Sequence, residues 1–420
     1  MSSLDVWYQL TVIGISGQSR ISVSKWWADK TQTDLVALLC AHFAGAIFED
    51  IWANRMPSYA YLNLRHLLIK NVLRELESSK DVAADTMTLG LQYLSCGDLW
   101  YADSTSMASH RLGAETVFRQ KGGLITWSQE SPELAQALIN KCLLMDVMLE
   151  QPAMADFDHL EPKEVSEAVQ GGFSPFYWPE GADEITQQSP RCTPGVFTML
   201  QKLQKVVGSI IYGEPAAASQ QYAVSVLYTL VSQTRPSPAL AMETEADRIG
   251  IVVRYAVILL TTAISYRIPI SEAVEPVSQR LGVSDILETI DSALKLTDSS
   301  NFWGYEDFWG VLHFVSLILL PTTQLSVSEH ESEKRQLMLR NLRAPSLMLC
   351  TALTTGRATP YFNNIRTMLR LQRWLDGDSA SSVSKKSAAP PPSFGAGLLS
   401  DGRSWKNSIY PWLRHLPDEG

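Results

Sequence analysis

The chain of 420 residues holds only five cysteines, Cys40, Cys96, Cys142, Cys192 and Cys350, and they are scattered. No two stand at the short spacing of a zinc site, so they read as small buried hydrophobes in a reducing compartment. Lys/Arg runs are missing too. With a net charge of −9, the chain lacks the basic patch that phosphate contacts demand, which argues against a free-standing nucleic-acid binder. The nearest approaches are Glu333-Lys-Arg-Gln-Leu-Met-Leu-Arg-Asn-Leu-Arg343, expected as a solvated helix face, and Lys385-Lys386. Residues 1–30 lack a charged start followed by an apolar run, so no cleavable signal is expected. The most apolar stretches, Ile251–Tyr266 (which contains Arg254) and Val311–Leu320, are too short to span a bilayer comfortably and read as buried core helices. Alternating period-two runs are nearly absent, which disfavours a sheet. Histidine clusters, Cys-x-x-Cys pairs and Gly-rich dinucleotide turns are absent as well.

What remains is an ordinary globular composition, 45% hydrophobic and 19% charged. A chain of this length buries roughly three quarters of its unfolded surface and needs no disulfide or metal staple. Its 12 tryptophans and 12 methionines point to large cores or a roomy apolar cavity. Apolar residues recur at three- and four-residue spacings from about Thr33: Leu35 to Ile51, Leu62 to Leu76, and Met87 to Leu94. A helix from Ser131-Pro132 to about Glu150 follows, with Pro132 at the first helical position. Further helices are expected at Val196–Ile211, Ser219–Gln233, Glu243–Tyr266, Ser284–Leu296, Tyr305–Leu320, Ser328–Leu342 and Pro360–Leu375. The expected fold is all-α, a large multi-helix array over 31–375.

Three segments interrupt that pattern. Residues 1–30 are an N-terminal extension in which Trp7 to Ile13 suits a short strand or extended segment. Residues 151–194, rich in proline and glycine, read as a long internal loop packed by Phe173, Phe176, Tyr177 and Trp178. Residues 376–420 form a Ser/Ala/Pro-rich tail expected to be disordered. Within it Ile409-Tyr-Pro-Trp-Leu413 either docks on the body, frays, or serves as a partner-binding peptide.

The most informative stretch runs from Asp98 to Leu124. Ser104 and Thr105 suit a helix N-cap, and Gly122-Gly123 suits its C-terminal stop. Between them Met107, His110, Leu112, Ala114, Val117 and Phe118 are expected on one buried face. The arrangement Trp100…His110-x-x-Gly113-Ala114-x-x-x-x-x-x-x-Gly122-Gly123 resembles the signature helix of the fungal-specific transcription factor domain. That domain is the α-helical regulatory body of zinc binuclear cluster regulators. Phe302-Trp303…Phe308-Trp309-Gly310-Val-Leu-His-Phe is similar to the family's late tryptophan-containing helix. Tyr361–Trp374 is similar to its closing helix.

The resemblance implies a nuclear transcriptional regulator that forms homo- or heterodimers or binds a small-molecule effector, without catalysis and away from membranes. It implies no cofactor for these residues, since zinc would need the family's six-cysteine cluster and the first cysteine here is Cys40. DNA is then reached indirectly, through a partner or a reader segment missing ahead of residue 1. The competing reading is a cytoplasmic or nuclear interaction scaffold that binds or titrates a complete regulator. An α-helical enzyme is a remote third, because no residue set supports it.

Other constellations read as structural. His110 suits a histidine hydrogen-bonded within the bundle. Gly113 and Ala114 suit the close approach of a neighbouring helix. Gly14-Ile-Ser16-Gly-Gln lacks the second glycine of a nucleophile elbow. Asp81…Asp85 suit a helix N-terminus, and Asp156-Phe-Asp158 suit solvated acids.

Overall fold

A computed structural model describes residues 29–78, 85–101, 104–130, 132–153, 172–233, 244–297, 303, 308–324, 332–353 and 358–377. The expectations for Trp7 to Ile13, Ser16, Asp81, Asp156, Asp158, Phe302, Ile409 to Leu413 and the tail beyond Gly377 lie outside these residues, as do the side chains of Ser104, Thr105 and Asp85.

The described residues form helices and no strand, so the fold is an all-α array. The first half comprises α1 (Leu35–Trp52), α2 (Tyr59–Ser78), α3 (Asp85–Tyr101), α4 (Ser104–Gln120), α5 (Leu124–Glu130) and α6 (Pro132–Leu149). The second comprises α7 (Ala182–Gln188), α8 (Pro194–Ile211), α9 (Ala216–Gln233), α10 (Glu245–Tyr266), a 3-10 turn at Ser271–Ala273, α11 (Val274–Leu281) and α12 (Ile286–Lys295). The closing helices α13 (Trp309–Thr322), α14 (Glu333–Leu353) and α15 (Ala358–Leu375) join the halves, packing on α3 and α6 on one side and on α8, α10 and α12 on the other.

Local chemistry sets the helix ends. Asp34 accepts from the Val36 and Ala37 amides at 2.8 and 3.1 Å and starts α1. Thr193 caps α8 with Pro194 just inside, and Thr244 with Asp247 forms a reciprocal capping box on α10. Pro132 opens α6 as its fixed φ predicts. Gly122 and Gly123 end α4 at φ 82° and 100°, where the Gly123 amide donates to the Phe118 carbonyl at 2.8 Å. This left-handed geometry is strained for a residue with a Cβ.

The core is continuous through α6, α10 and α13. Every residue of α13 from Trp309 to Pro321 is buried. Trp100, Trp127, Trp303 and Trp309 are all buried, each removing area that stabilises the fold by roughly 1.5–3 kcal/mol per large apolar side chain. α1 and α10 are long and apolar enough to cross a membrane by length and composition, and 67% of each apolar window is buried inside the fold. Their apolar faces are thus taken up by packing within the chain.

Three expectations are corrected. The stretch read as a long loop contains α7, which opens after Gly181 at φ 82°. At seven residues it is too short to display a helical period. The run Glu333–Arg343 is solvated only at its start, where the Lys334 side chain is 86% exposed. Arg340 and Arg343 are each 1% exposed, because the inner stripe of α14 lies on α3, α6 and α13. Leu112, expected on the buried face of α4, is 55% exposed.

Candidate functional site

The polar chemistry of the interior gathers around α4. His110 Nδ1 pairs with Asp98 Oδ2 of α3, and both residues are buried. The other Asp98 oxygen accepts from Arg65 Nη2 of α2 at 3.3 Å, and the same nitrogen lies 3.2 Å from Ser106 Oγ. One carboxylate thus gathers groups from α2 and α4, a geometry that holds only if every member keeps its partner.

Arg111, the next residue, turns the other way. Its Nε pairs with buried Asp146 on α6, Nη1 donates to Glu115 at 2.7 Å, and Nη2 donates to the Pro152 carbonyl at 3.1 Å. Burial pulls the Arg111 pKa down, but Asp146 and Glu115 raise it by more and hold the guanidinium charged. Successive residues therefore bolt α4 to α3 and to α6.

The remaining motif residues lie around this joint or along the closing helices. Trp100 lies in the last turn of α3 with its ring edge-on to Tyr61 at 5.2 Å. A Cβ on Gly113 would stand 3.1 Å from Leu91 Cδ2 of α3, and Ala114 is fully buried. At Gly113 the Leu91 side chain of α3 thus passes close to α4. Trp309 and Trp374 are far along the chain and belong to other contacts. Trp309 stacks loosely on His313, 6.4 Å between centroids. Trp374 lies under the Arg267 guanidinium at 5.0 Å, and its carbonyl accepts from Arg267 Nη2 at 3.2 Å.

A second polar site sits within the α13 joint. His313 stacks flat on Tyr361, 4.3 Å between centroids at 2°. Burial pulls its pKa down to about 3, so the imidazole is neutral. Asn364 lies 3.5 Å from His313 Nδ1 and accepts from Ser174 Oγ at 2.6 Å. Ser174 belongs to the strap 172–177, which runs past the first turn of α13. A Cβ on Gly310 would overlap the Gly172 carbonyl and stand 2.5 Å from the Phe173 oxygen. Backbone meets backbone there, which only glycine permits. Phe176 completes the contact, edge-on to Phe314 at 5.0 Å.

The Cys96 thiol is pushed up to about 12 by burial, so it is no thiolate nucleophile at neutral pH. No group of three or more His, Cys, Asp or Glu residues suited to a metal occurs among the described residues.

Sequence reasoning missed Asp98 and Asp146 as partners, and placed Arg340 on a solvated helix face. The Arg340 guanidinium is stacked 4.8 Å from the Tyr101 ring centroid and 5.9 Å from that of Trp100. No local pattern marks these residues, because each is explained by a neighbour distant in sequence.

No family model, no curated protein and no solved structure matches the chain. The likeness to the fungal-specific transcription factor domain stands on the quoted residues alone.

Proposed function

We propose that this chain is the helical regulatory body of a nuclear transcriptional regulator of the fungal-specific type, acting by binding rather than by catalysis. The observation that supports this most is the position of the motif. Trp100, His110, Gly113 and Ala114 surround one joint among α2, α3, α4 and α6, and the Gly122-Gly123 stop ends the same α4. Residues that build such a joint suit a shared helical framework. The ionisable groups there are occupied with one another, which fits a body that transmits binding.

DNA contact falls to a partner or to a reader outside these residues, given the net charge of −9. The same charge favours the scaffold reading, in which the chain titrates a complete regulator. Tethering the full chain to an unrelated DNA-binding module above a reporter separates the two. The regulatory reading expects a several-fold change in reporter output against the module alone. An unchanged reporter from a folded fusion contradicts it. If the untethered chain then lowers the output of a captured regulator, the scaffold reading holds.

A further inference from the structure

Arg340 is a poorly compensated charge in the described interior. It is 1% exposed, and burial drags its pKa down. A buried guanidinium is ordinarily paired with a carboxylate or satisfied by several acceptors. Arg111 shows that arrangement, with acceptors at Nε, Nη1 and Nη2. Arg340 does not. Its Nη1 reaches only the Met56 thioether, a weak acceptor. Among the described residues its Nε and Nη2 have no hydrogen-bond partner. These two nitrogens form one edge of the guanidinium, the parallel fork that grips a planar oxyanion through two bonds. The nearby positive charge of Arg65 is already taken up by Asp98.

The surroundings indicate what kind of oxyanion fits. Tyr101 and Trp100 stack by the guanidinium, and Tyr61 packs edge-on to Trp100. The cluster lies just under the surface. Tyr101 is 39% exposed, Met56 is half-buried, and the adjacent Asn341 pairs with exposed Asn54 at 2.6 Å. Methionine is flexible and readily displaced. One uncompensated positive charge with aromatic walls matches a single negative charge on an apolar body. A phosphate dianion would carry surplus charge into the same aromatic surroundings.

We propose that the open fork of Arg340, between α2, α3 and α14, binds the carboxylate of an organic acid whose apolar or aromatic body packs on Tyr61, Trp100 and Tyr101. Its role as an effector site rests on the regulatory reading above, whereas the binding itself does not.

The test titrates the purified full chain with 3-phenylpropanoate, benzoate, octanoate and inorganic phosphate at fixed ionic strength, following thermal unfolding and tryptophan fluorescence. A ligand that binds only the folded state raises Tm with its concentration. The expected result is a saturable rise of several degrees with at least one carboxylate and none with phosphate. Arg340→Met should abolish the rise. Arg340→Lys should weaken binding about tenfold or more, because an ammonium keeps the charge and loses the fork. That variant also preserves the test if Arg340→Met fails to fold. No rise with any carboxylate, an equal rise in Arg340→Met, or a rise with phosphate alone overturns the proposal. Carboxylate binding without any reporter response removes the effector role and leaves the site. A reporter response without carboxylate binding removes the site and leaves the regulatory reading.

Discussion

At the α4 joint, His110 and Arg111 pair with buried carboxylates on α3 and α6. At the α13 joint, a neutral His313 lies flat on Tyr361, and the chain passes so closely that two glycines face each other. The first joint depends on partners, because a buried charge that loses its counter-charge is costly. The second depends on fit, because close-packed interiors tolerate little added volume. The two should therefore fail in different ways.

The largest effect is expected where fit is tightest. Gly310→Val should cost about 3 kcal/mol or more, or prevent folding, since backbone cannot yield as a flexible side chain does. Urea denaturation measures this, and a loss under about 1 kcal/mol would break the contrast. Next comes Asp98→Ala, which strands His110 and Arg65 and should cost about 3 kcal/mol. Replacing all three members with apolar residues of similar volume should recover most of that loss, a recovery impossible at the Gly310 contact.

Acid should act on the α13 joint through His313. Its folded pKa of about 3 lies below the ordinary 6.5, so between these values the unfolded chain binds a proton that the folded chain refuses. The stability from neutral His313 is full above pH 6.5 and falls toward pH 3, by about 1.4 kcal/mol per pH unit. His313→Phe should remove that share of the slope, as read from urea midpoints across the pH series. The smallest effect belongs to Leu112→Ser, on the exposed face of α4, within about 0.5 kcal/mol of the parent.

The sequence carried the helices well where a period had room to repeat. Pro132 and Gly122-Gly123 marked ends that the backbone adopts. Short helices escaped, α5, α7 and α11 among them, because seven or eight residues cover barely two turns. The candidate sites were far less legible. Asp98 and His110 were both visible, but their pairing depends on how α3 and α4 pack. Arg340 looked like part of a solvated run because burial is decided by α3 and α13, hundreds of residues earlier and tens of residues earlier in the chain. The close pass of Gly172 and Gly310 could not be read from either glycine alone.

On this reading the motif on α4 holds the fold together rather than contacting a ligand or partner. His110→Ala tests it most directly, with urea unfolding and tethered reporter output measured on the same variant. The expected result is a stability loss of about 3 kcal/mol, with reporter output falling only as far as the folded fraction falls. Native stability together with abolished output would contradict it and make His110 a contact residue.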